Sequence, residues 1–246
     1  MVLAHPELVP TADLDRDAMN RLQRVVAETA IVADEGVPAT IDARVTVAGV
    51  DQAFSDEAVV SAAVALRAGE PIDRTVVRRP IVLPYIPGYL SFREAPASVD
   101  AVTGLSDRPD LLVVDGNGLL HPRGAGIATH VGVILDIPTV GVAKSLLCGR
   151  LDGPEPPYET GTRVPIVATD DMALPSGSTI GYAVQTRQWD TPDRHINPVY
   201  VSPGHRVSPE TAVDHVLATV AGRKLPEPIR LADRAAGEAA RSGLHR

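Results

Sequence analysis

The stretch LLVVDGNGLLHPRG, residues 111–124, joins an entirely apolar segment to an aspartate and two closely spaced glycines. Residues 111–114 contain no polar side chain, which predicts a central strand that is covered on both faces of its sheet. Asp115 then stands at the carboxyl end of that strand. Residues 124–135 have the pattern of a helix and residues 138–142 that of another strand, so the region predicts a βαβ unit.

The residues before this βαβ unit are predicted to form further strands of the same sheet. The predicted elements are helices at 15–35 and 90–105, strands at 45–51, 59–66 and 75–83, and a turn at 69–71. The second of these strands is expected to pair antiparallel with the first. Three strands followed by alternating helices and strands predict an α/β fold with a central mixed β-sheet flanked by helices.

The chain after the unit is less regular at first. The predicted elements are an exposed excursion at 150–175, strands at 178–185 and 197–202, a helix that Ser208 caps, and a last helix at 229–241. Residues 1–12 are predicted to be a flexible leader, and residues 13–246 a single domain.

Composition limits the class of protein. The chain has 246 residues, of which 44% are hydrophobic, so it can bury a core. A net charge of -8 argues against a broad basic surface for nucleic acid. No apolar run reaches the roughly 20 residues that span a bilayer. The single cysteine, Cys148, and the absence of a signal peptide predict a cytoplasmic protein that does not contact a membrane.

Asp51 and Asp115 each follow an apolar strand. If the two strands are neighbours, their carboxylates meet at one edge of the sheet, where they favour a bound cation. Carboxylate oxygens suit Mg²⁺ or Mn²⁺, the ions that commonly serve phosphodiester hydrolysis. The alternative is that each aspartate only opens a turn, as Asp-Gly often does.

Other chemistries have weaker support. Asp115-Gly116-Asn117-Gly118 resembles the start of a dinucleotide fingerprint, but His121 stands where the third glycine should be. The chain has no G-x-S-x-G, H-E-x-x-H or paired C-x-x-C motif, which removes the main support for serine hydrolases and zinc enzymes.

Several blocks together resemble the endonuclease V (deoxyinosine 3′-endonuclease) family. They are PYIPGYLSFRE (84–94), DGNG (115–118), HPRG (121–124), ATH (128–130), IPTVGVAKS (137–145), SPGHR (202–206) and LPEPIRLAD (225–233). They occur in the family's order between about residues 45 and 235. The resemblance implies a ribonuclease H-like fold.

The resemblance also implies roles for individual residues. Asp51 and Asp115 match the family's metal ligands, and the catalytic set is completed by Glu94, Lys144 and Asp233. The implied DNA-binding residues are Tyr85, as a wedge between bases, together with Arg93 and His121. The implied pocket for an extruded base is formed by Gly88, Leu90, Gly116, Gly118, Gly126, Ile127 and Gly141. Asn117 departs from the family, which often has His or Gln there.

The implied activity is cleavage of DNA at the second phosphodiester bond 3′ to deoxyinosine, by a monomer that uses Mg²⁺, with Mn²⁺ as a possible substitute. Two alternatives keep the same fold. One is an endoribonuclease that acts on inosine in RNA, and the other is a lesion-binding protein without catalysis.

Overall fold

The computed structural model describes residues 1–189, 191 and 195–242. Its helices are α1 (Arg16–Thr29), α2 (Leu90–Thr103), α3 (Ile127–Leu135), α4 (Pro209–Ala218) and α5 (Glu227–Ser242). Its strands are β1 (Thr46–Phe54), β2 (Ala58–Arg67), β3 (Glu70–Pro80), β4 (Leu111–Asp115), β5 (Thr139–Ala143), β6 (Arg150–Leu151), β7 (Arg163–Val167), β8 (Thr179–Val184) and β9 (Val199–His205).

The described strands form one sheet in the order β3-β2-β1-β4-β5-β9-β8-β7-β6. The pairs β1–β4 and β4–β5 are parallel, whereas the pairs on either side of them are antiparallel. The sheet is therefore mixed, with helices on both faces, and the predicted fold class is confirmed.

The central strand β4 is buried from both sides. Leu112 and Val114 belong to a core that includes residues of α2 and α3, while Leu111 and Val113 belong to a core that includes residues of α4 and α5. All four side chains have 0% exposure. This two-sided burial is the physical reason for the apolar run at residues 111–114.

The helix ends follow their capping residues. The Asp15 carboxylate accepts a hydrogen bond from the Ala18 backbone N–H at 2.7 Å and begins α1. Ser208 caps α4 in the same way, with Pro209 as the first helical residue. Helix α1 ends at Thr29, six residues before the predicted end at Glu35.

Residues 150–175 differ from the predicted exposed excursion. They contain β6 and β7, which extend the sheet, and they bury Tyr158, Val164 and Ile166 in a core shared with β8. The turn before β3 also differs, since it lies at Ala68-Gly69 and leaves Glu70 inside the strand. Abundant Pro and Gly hid these short strands, which lie at one end of the sheet.

The first residues, predicted as a flexible leader, make defined contacts with α3. The backbone N–H groups of Ala4 and His5 both donate to the Ile134 carbonyl, at 3.0 and 3.1 Å. Leu8 is buried, and its carbonyl accepts a hydrogen bond at 2.8 Å from Nε2 of the fully buried His130. Burial of one apolar side chain and these backbone bonds hold the segment against the domain.

No helix within residues 1–189, 191 and 195–242 has both the length and the apolar content needed to cross a bilayer.

Candidate active site

The two aspartates that were predicted to end strands lie side by side. Only Asp115 ends its strand, because β1 continues beyond Asp51 to Phe54 in its pairing with β2. Strands β1 and β4 pair in parallel with Val50 opposite Val114, so the next residues, Asp51 and Asp115, emerge at the same edge of the sheet. Asp51 has only 6% exposure. The convergence predicted from the two apolar strands is present.

The environment of Asp51 disfavours its charge. Burial and the nearby charge of Asp115 raise the pKa of Asp51 to about 8. A hydrogen bond from the Gln52 backbone N–H to Asp51 Oδ1, at 2.7 Å, and the charge of Lys144 act in the opposite direction. A positive charge placed between the two carboxylates would relieve this repulsion.

Lys144 follows β5 and reaches the same edge. Its Nζ donates to Asp115 Oδ2 at 2.6 Å, and its side chain is 53% exposed. Burial opposes the ammonium charge, but the hydrogen bond and charge of Asp115 outweigh it and raise the pKa of Lys144. The lysine therefore stays cationic beside the aspartate pair.

Two further predicted acids approach this pair. Glu94 lies on α2 with 6% exposure, and burial, together with the charge of Asp115, raises its pKa to about 7 against the opposing charge of Arg93. Asp233 is exposed on α5, and its charge acts on both Asp51 and Lys144. The structure thus brings together all five predicted catalytic residues.

The four acids do not form a closed metal cage. In the described part of the chain, no three His, Cys, Asp or Glu side chains are grouped as ligands of one ion. Mg²⁺ in enzymes commonly uses one or two carboxylates and completes its shell with water and substrate phosphate. The Asp51–Asp115 pair offers donors of this type and number.

A loop between β3 and α2, residues 84–89, carries the predicted wedge. Tyr85 is 64% exposed between two prolines, a position from which an aromatic ring can enter a base stack. The loop turns at Gly88, whose φ of 80° favours glycine. The glycine therefore permits the turn two residues before α2 begins.

The Gly88 carbonyl is held by two side chains. It accepts hydrogen bonds from Gln23 Nε2 at 2.7 Å and from His121 Nε2 at 3.2 Å. Arg123 Nη1 donates to Gln23 Oε1 at 3.0 Å, and its guanidinium lies 5.1 Å from the centroid of the Tyr89 ring. Gln23 and Tyr89 were not predicted as site residues, and for Gln23 the reason is that only the fold brings α1 to this loop.

His121 is held by internal hydrogen bonds, and its predicted contact with DNA stays a prediction. It is 5% exposed, and burial lowers its pKa to about 4. Its Nδ1 accepts from the Arg123 backbone N–H at 3.2 Å while Nε2 donates to Gly88, so both ring nitrogens are used within the protein. The neutral ring positions the wedge loop.

Arg93 directly precedes Glu94 on α2. Its guanidinium packs 4.2 Å from the centroid of the Phe54 ring, and its neighbouring charge opposes the raised pKa of Glu94. Its contact with DNA stays a prediction.

A cavity of about 220 Å³ opens beside Tyr85. This is far above the roughly 10–15 Å³ that one water needs. Its lining consists of Tyr85, Gly88, Leu90, Ser91, Asn117, His121, Ala125, Gly126, Ile127 and Leu147. Four of the seven predicted pocket residues are therefore in place, and Ser91, Ala125 and Leu147 are additions that the resemblance did not indicate.

The other three predicted pocket residues, Gly116, Gly118 and Gly141, are absent from this lining. A Cβ on Gly116 would lie 2.4 Å from the Ile127 side chain, whereas Gly118 and Gly141 allow backbones to pack closely. A Cβ on Gly118 would lie 2.1 Å from the Pro203 carbonyl oxygen, and one on Gly141 would lie 2.5 Å from the Gly116 carbonyl oxygen. These glycines let the loop after β4 lie directly on β5 and β9.

A sequence profile of the family described as Endonuclease V matches residues 28–234. The chain belongs to the endonuclease V family. Among curated relatives, Endonuclease V of Halobacterium salinarum is 49% identical, in an alignment that covers 97% of this chain and 99% of that protein. The predicted assignment as a nuclease is confirmed.

Solved structures of the family share the fold. Endonuclease V from Streptomyces avermitilis superposes with a TM-score of 0.80 at 31% identity, over 96% of this chain and 98% of that one. Endonuclease V from Ciona intestinalis was solved with a 24mer DNA containing an inosine followed by a ribo-adenosine. It superposes with a TM-score of 0.73 at 26% identity, over 91% of this chain and 96% of that one. The predicted architecture is thus that of solved endonuclease V structures.

The stability of the metal-free protein is expected to fall as pH rises from about 4 to about 8. Asp51 has a folded pKa of about 8, above the roughly 3.9 of an unfolded aspartate, so the folded state binds more protons in this window. Asp51→Asn should therefore be more stable than the wild type at pH 8, by on the order of 2 kcal/mol, and nearly equal to it at pH 4.

Urea unfolding in EDTA at the two pH values measures this difference. Glu94 also lowers the unfolding free energy as pH rises, because its pKa is raised too, and it does so in both proteins. An Asp51→Asn variant whose unfolding free energy follows the wild type at both pH values would contradict the assigned electrostatic conflict.

Proposed function

We propose that this chain is a Mg²⁺-dependent endonuclease that cuts DNA at the second phosphodiester bond 3′ to deoxyinosine. The observation that carries the proposal is one arrangement: the Asp51–Asp115 pair at a sheet edge, next to a cavity bordered by the exposed ring of Tyr85. The pair suits hydrolysis, and the cavity suits a base removed from the stack.

Asp51 and Asp115 are the residues that would hold the metal. Mg²⁺ bound there supplies a water of lowered pKa and positive charge for the scissile phosphate. Two adjacent carboxylates, one of them with a raised pKa, are the donor set that gains most from a cation. Mn²⁺ is expected to substitute, because it accepts the same oxygen ligands.

The remaining groups act on the phosphate and on protons. Lys144 is a cation with a half-exposed side chain, so it can leave Asp115 and bind a phosphate oxygen. Glu94 has a pKa of about 7 and can exchange a proton near neutral pH with the attacking water or the departing oxygen. Asp233 adds negative charge at the rim that favours cation binding.

The base-handling part of the site supports the choice of substrate. An enzyme that acts at one nucleotide of a duplex must extrude it and keep the gap open. Tyr85 is positioned to fill such a gap, and the cavity beside it can receive the base. The Ciona intestinalis relative was solved with inosine-containing DNA, which supports the same lesion here.

A nicking assay tests the proposal. The substrate is a labelled duplex with a single deoxyinosine, and a duplex of the same sequence with deoxyguanosine at that position serves as the control. We expect one nick, at the second phosphodiester 3′ to the lesion, in Mg²⁺ but not in EDTA. Equal cutting of the control, cutting elsewhere, or inosine-dependent binding without cutting would contradict the proposal.

Inosine in RNA is the second candidate substrate. The DNA in the Ciona intestinalis complex carries a ribo-adenosine directly after its inosine. A 2′-hydroxyl can change the affinity of a protein for a strand. Matched DNA and RNA oligonucleotides with one inosine, cut in parallel, decide between the two substrates from the ratio of their rates.

A further inference from the structure

The first helix, α1, holds the wedge loop, residues 84–89, through two polar contacts. Gln23 has 0% exposure, and its Nε2 donates a hydrogen bond to the Gly88 carbonyl at 2.7 Å. On the same helix, Asn20 Oδ1 accepts a hydrogen bond from the Tyr89 hydroxyl at 2.6 Å. The end of the loop is thus tied to a helix that lies far from it in the chain.

The loop has little backbone bonding of its own. Pro84 and Pro87 carry no N–H, and the turn inside the loop is closed by a hydrogen bond from the Tyr89 N–H to the Ile86 carbonyl at 3.0 Å. A segment with few internal bonds opens easily unless contacts from outside select one shape. The bond from Gln23 is such a contact, and it acts at the turn itself.

The orientation of the Gln23 amide is fixed by Arg123. Arg123 Nη1 donates to Gln23 Oε1 at 3.0 Å, and a guanidinium has no acceptor, so the amide oxygen must face it. The amide nitrogen is then directed at the Gly88 carbonyl. Both ends of this buried amide are satisfied, and turning it would leave a buried group without a partner. Gln23 is therefore a rigid donor to the loop.

We propose that Gln23 is a positioning residue, which fixes the wedge loop so that Tyr85 is held ready to enter a DNA duplex. The inference rests on the proposed function and adds a residue that prepares the protein for the substrate. A loop that is already ordered loses less conformational entropy when DNA binds. The benefit is expected where a base pair must be opened and a gap filled, and to be small on a single strand, whose bases are unpaired.

Single-turnover cleavage of one deoxyinosine strand, alone and annealed to its complement, tests the inference. Gln23→Met keeps a long side chain and removes both polar ends. We expect its rate to fall about tenfold on the duplex, the worth of one buried hydrogen bond, and by less than about twofold on the single strand. Gln23→Glu keeps an oxygen for Arg123 but has no donor for Gly88, so it should show the same selective loss.

Val26→Ala is the matched control on the same helix. Val26 is also fully buried, but it belongs to the core that α1 shares with α2 and α3. Its loss should lower stability and leave the ratio of the duplex rate to the single-strand rate unchanged. A purely structural role of Gln23 would give the same unchanged ratio, so the ratio separates positioning from general support of the fold.

Hydrogen exchange of the free protein gives a second readout without DNA. The Tyr89 amide should exchange slowly in the wild type and faster in Gln23→Met, whereas the amides of β4 should not change. Thermal melts establish that each variant folds. If neither Gln23 variant folds, a wild-type Tyr89 amide that exchanges like an unstructured peptide still overturns the inference.

An unchanged ratio of the two cleavage rates in a folded Gln23 variant also overturns it, as does equal exchange at Tyr89 in both proteins. A wild type that cuts neither form of the substrate at deoxyinosine overturns the proposed function instead. The exchange data then decide alone whether Gln23 holds the loop.

Discussion

Asp115→Asn is expected to lose about a thousandfold in cleavage rate while keeping its fold. The substitution removes the charge that Asp51 and Asp115 share at the sheet edge, so a divalent ion loses one of its two carboxylates. It also weakens the 2.6 Å contact with Lys144. A loss of this size corresponds to about 4 kcal/mol of transition-state stabilisation.

Single-turnover cleavage of a deoxyinosine duplex measures the loss, and circular dichroism checks the fold. Asp42→Asn is the matched control. Asp42 precedes the first residue of β1, at the end of the strand away from the site, and forms an ion pair with exposed Arg44. It should cut at the wild-type rate. Full Mg²⁺-dependent activity in Asp115→Asn would refute the assigned site.

Gly118→Ala is expected to destabilise the protein by about 3 kcal/mol, which is the upper end of what overpacking usually costs. The new Cβ would lie 2.1 Å from the Pro203 carbonyl oxygen, and the Gly118 N–H donates to Ser202 Oγ at 2.9 Å. The loop after β4 cannot move away from β9 without breaking that bond. Cleavage should fall as well, since the same loop begins at Asp115.

Gly237→Ala is the control for the same chemical change. Gly237 lies inside α5, and its nearest neighbour would be the flexible Arg241 guanidinium at 3.4 Å from the new Cβ. Alanine favours helix there by up to about 1 kcal/mol. Urea unfolding should therefore move in opposite directions for the two variants, and equal midpoints would show that the close approach at Gly118 is not rigid.

The central elements could be predicted because local pattern and tertiary environment agree. Residues 111–114 are apolar at every position, and both faces of β4 are covered. The capping side chains of Asp15 and Ser208 bond backbone groups three residues ahead, so they act within a window that a sequence shows. Residues 150–175 were predicted wrongly, because β6 and β7 have only two and five residues, too few to show a clear hydrophobic pattern.

The residues that line the base pocket could be predicted only in part. Gly116, Gly118 and Gly141 were assigned to the cavity from the resemblance, yet a glycine can serve a ligand or a neighbouring backbone, and its identity does not say which. The same holds for His121, because the presence of a histidine does not show whether its ring bonds a phosphate or another group of the protein. Gln23 gave no signal, because its partner Gly88 is 65 residues away in the chain.

The sequence by itself determined the mixed sheet, the two aspartates that follow apolar runs and the order of the family's blocks, since strand patterns and short motifs are local properties. Only the tertiary structure decided how the two aspartates interact. Parallel pairing of β1 and β4 placed Asp51 beside Asp115, and burial then raised the pKa of Asp51. Proximity, burial and the local electrostatic field depend on residues that are distant in sequence, so they cannot be read from any one segment.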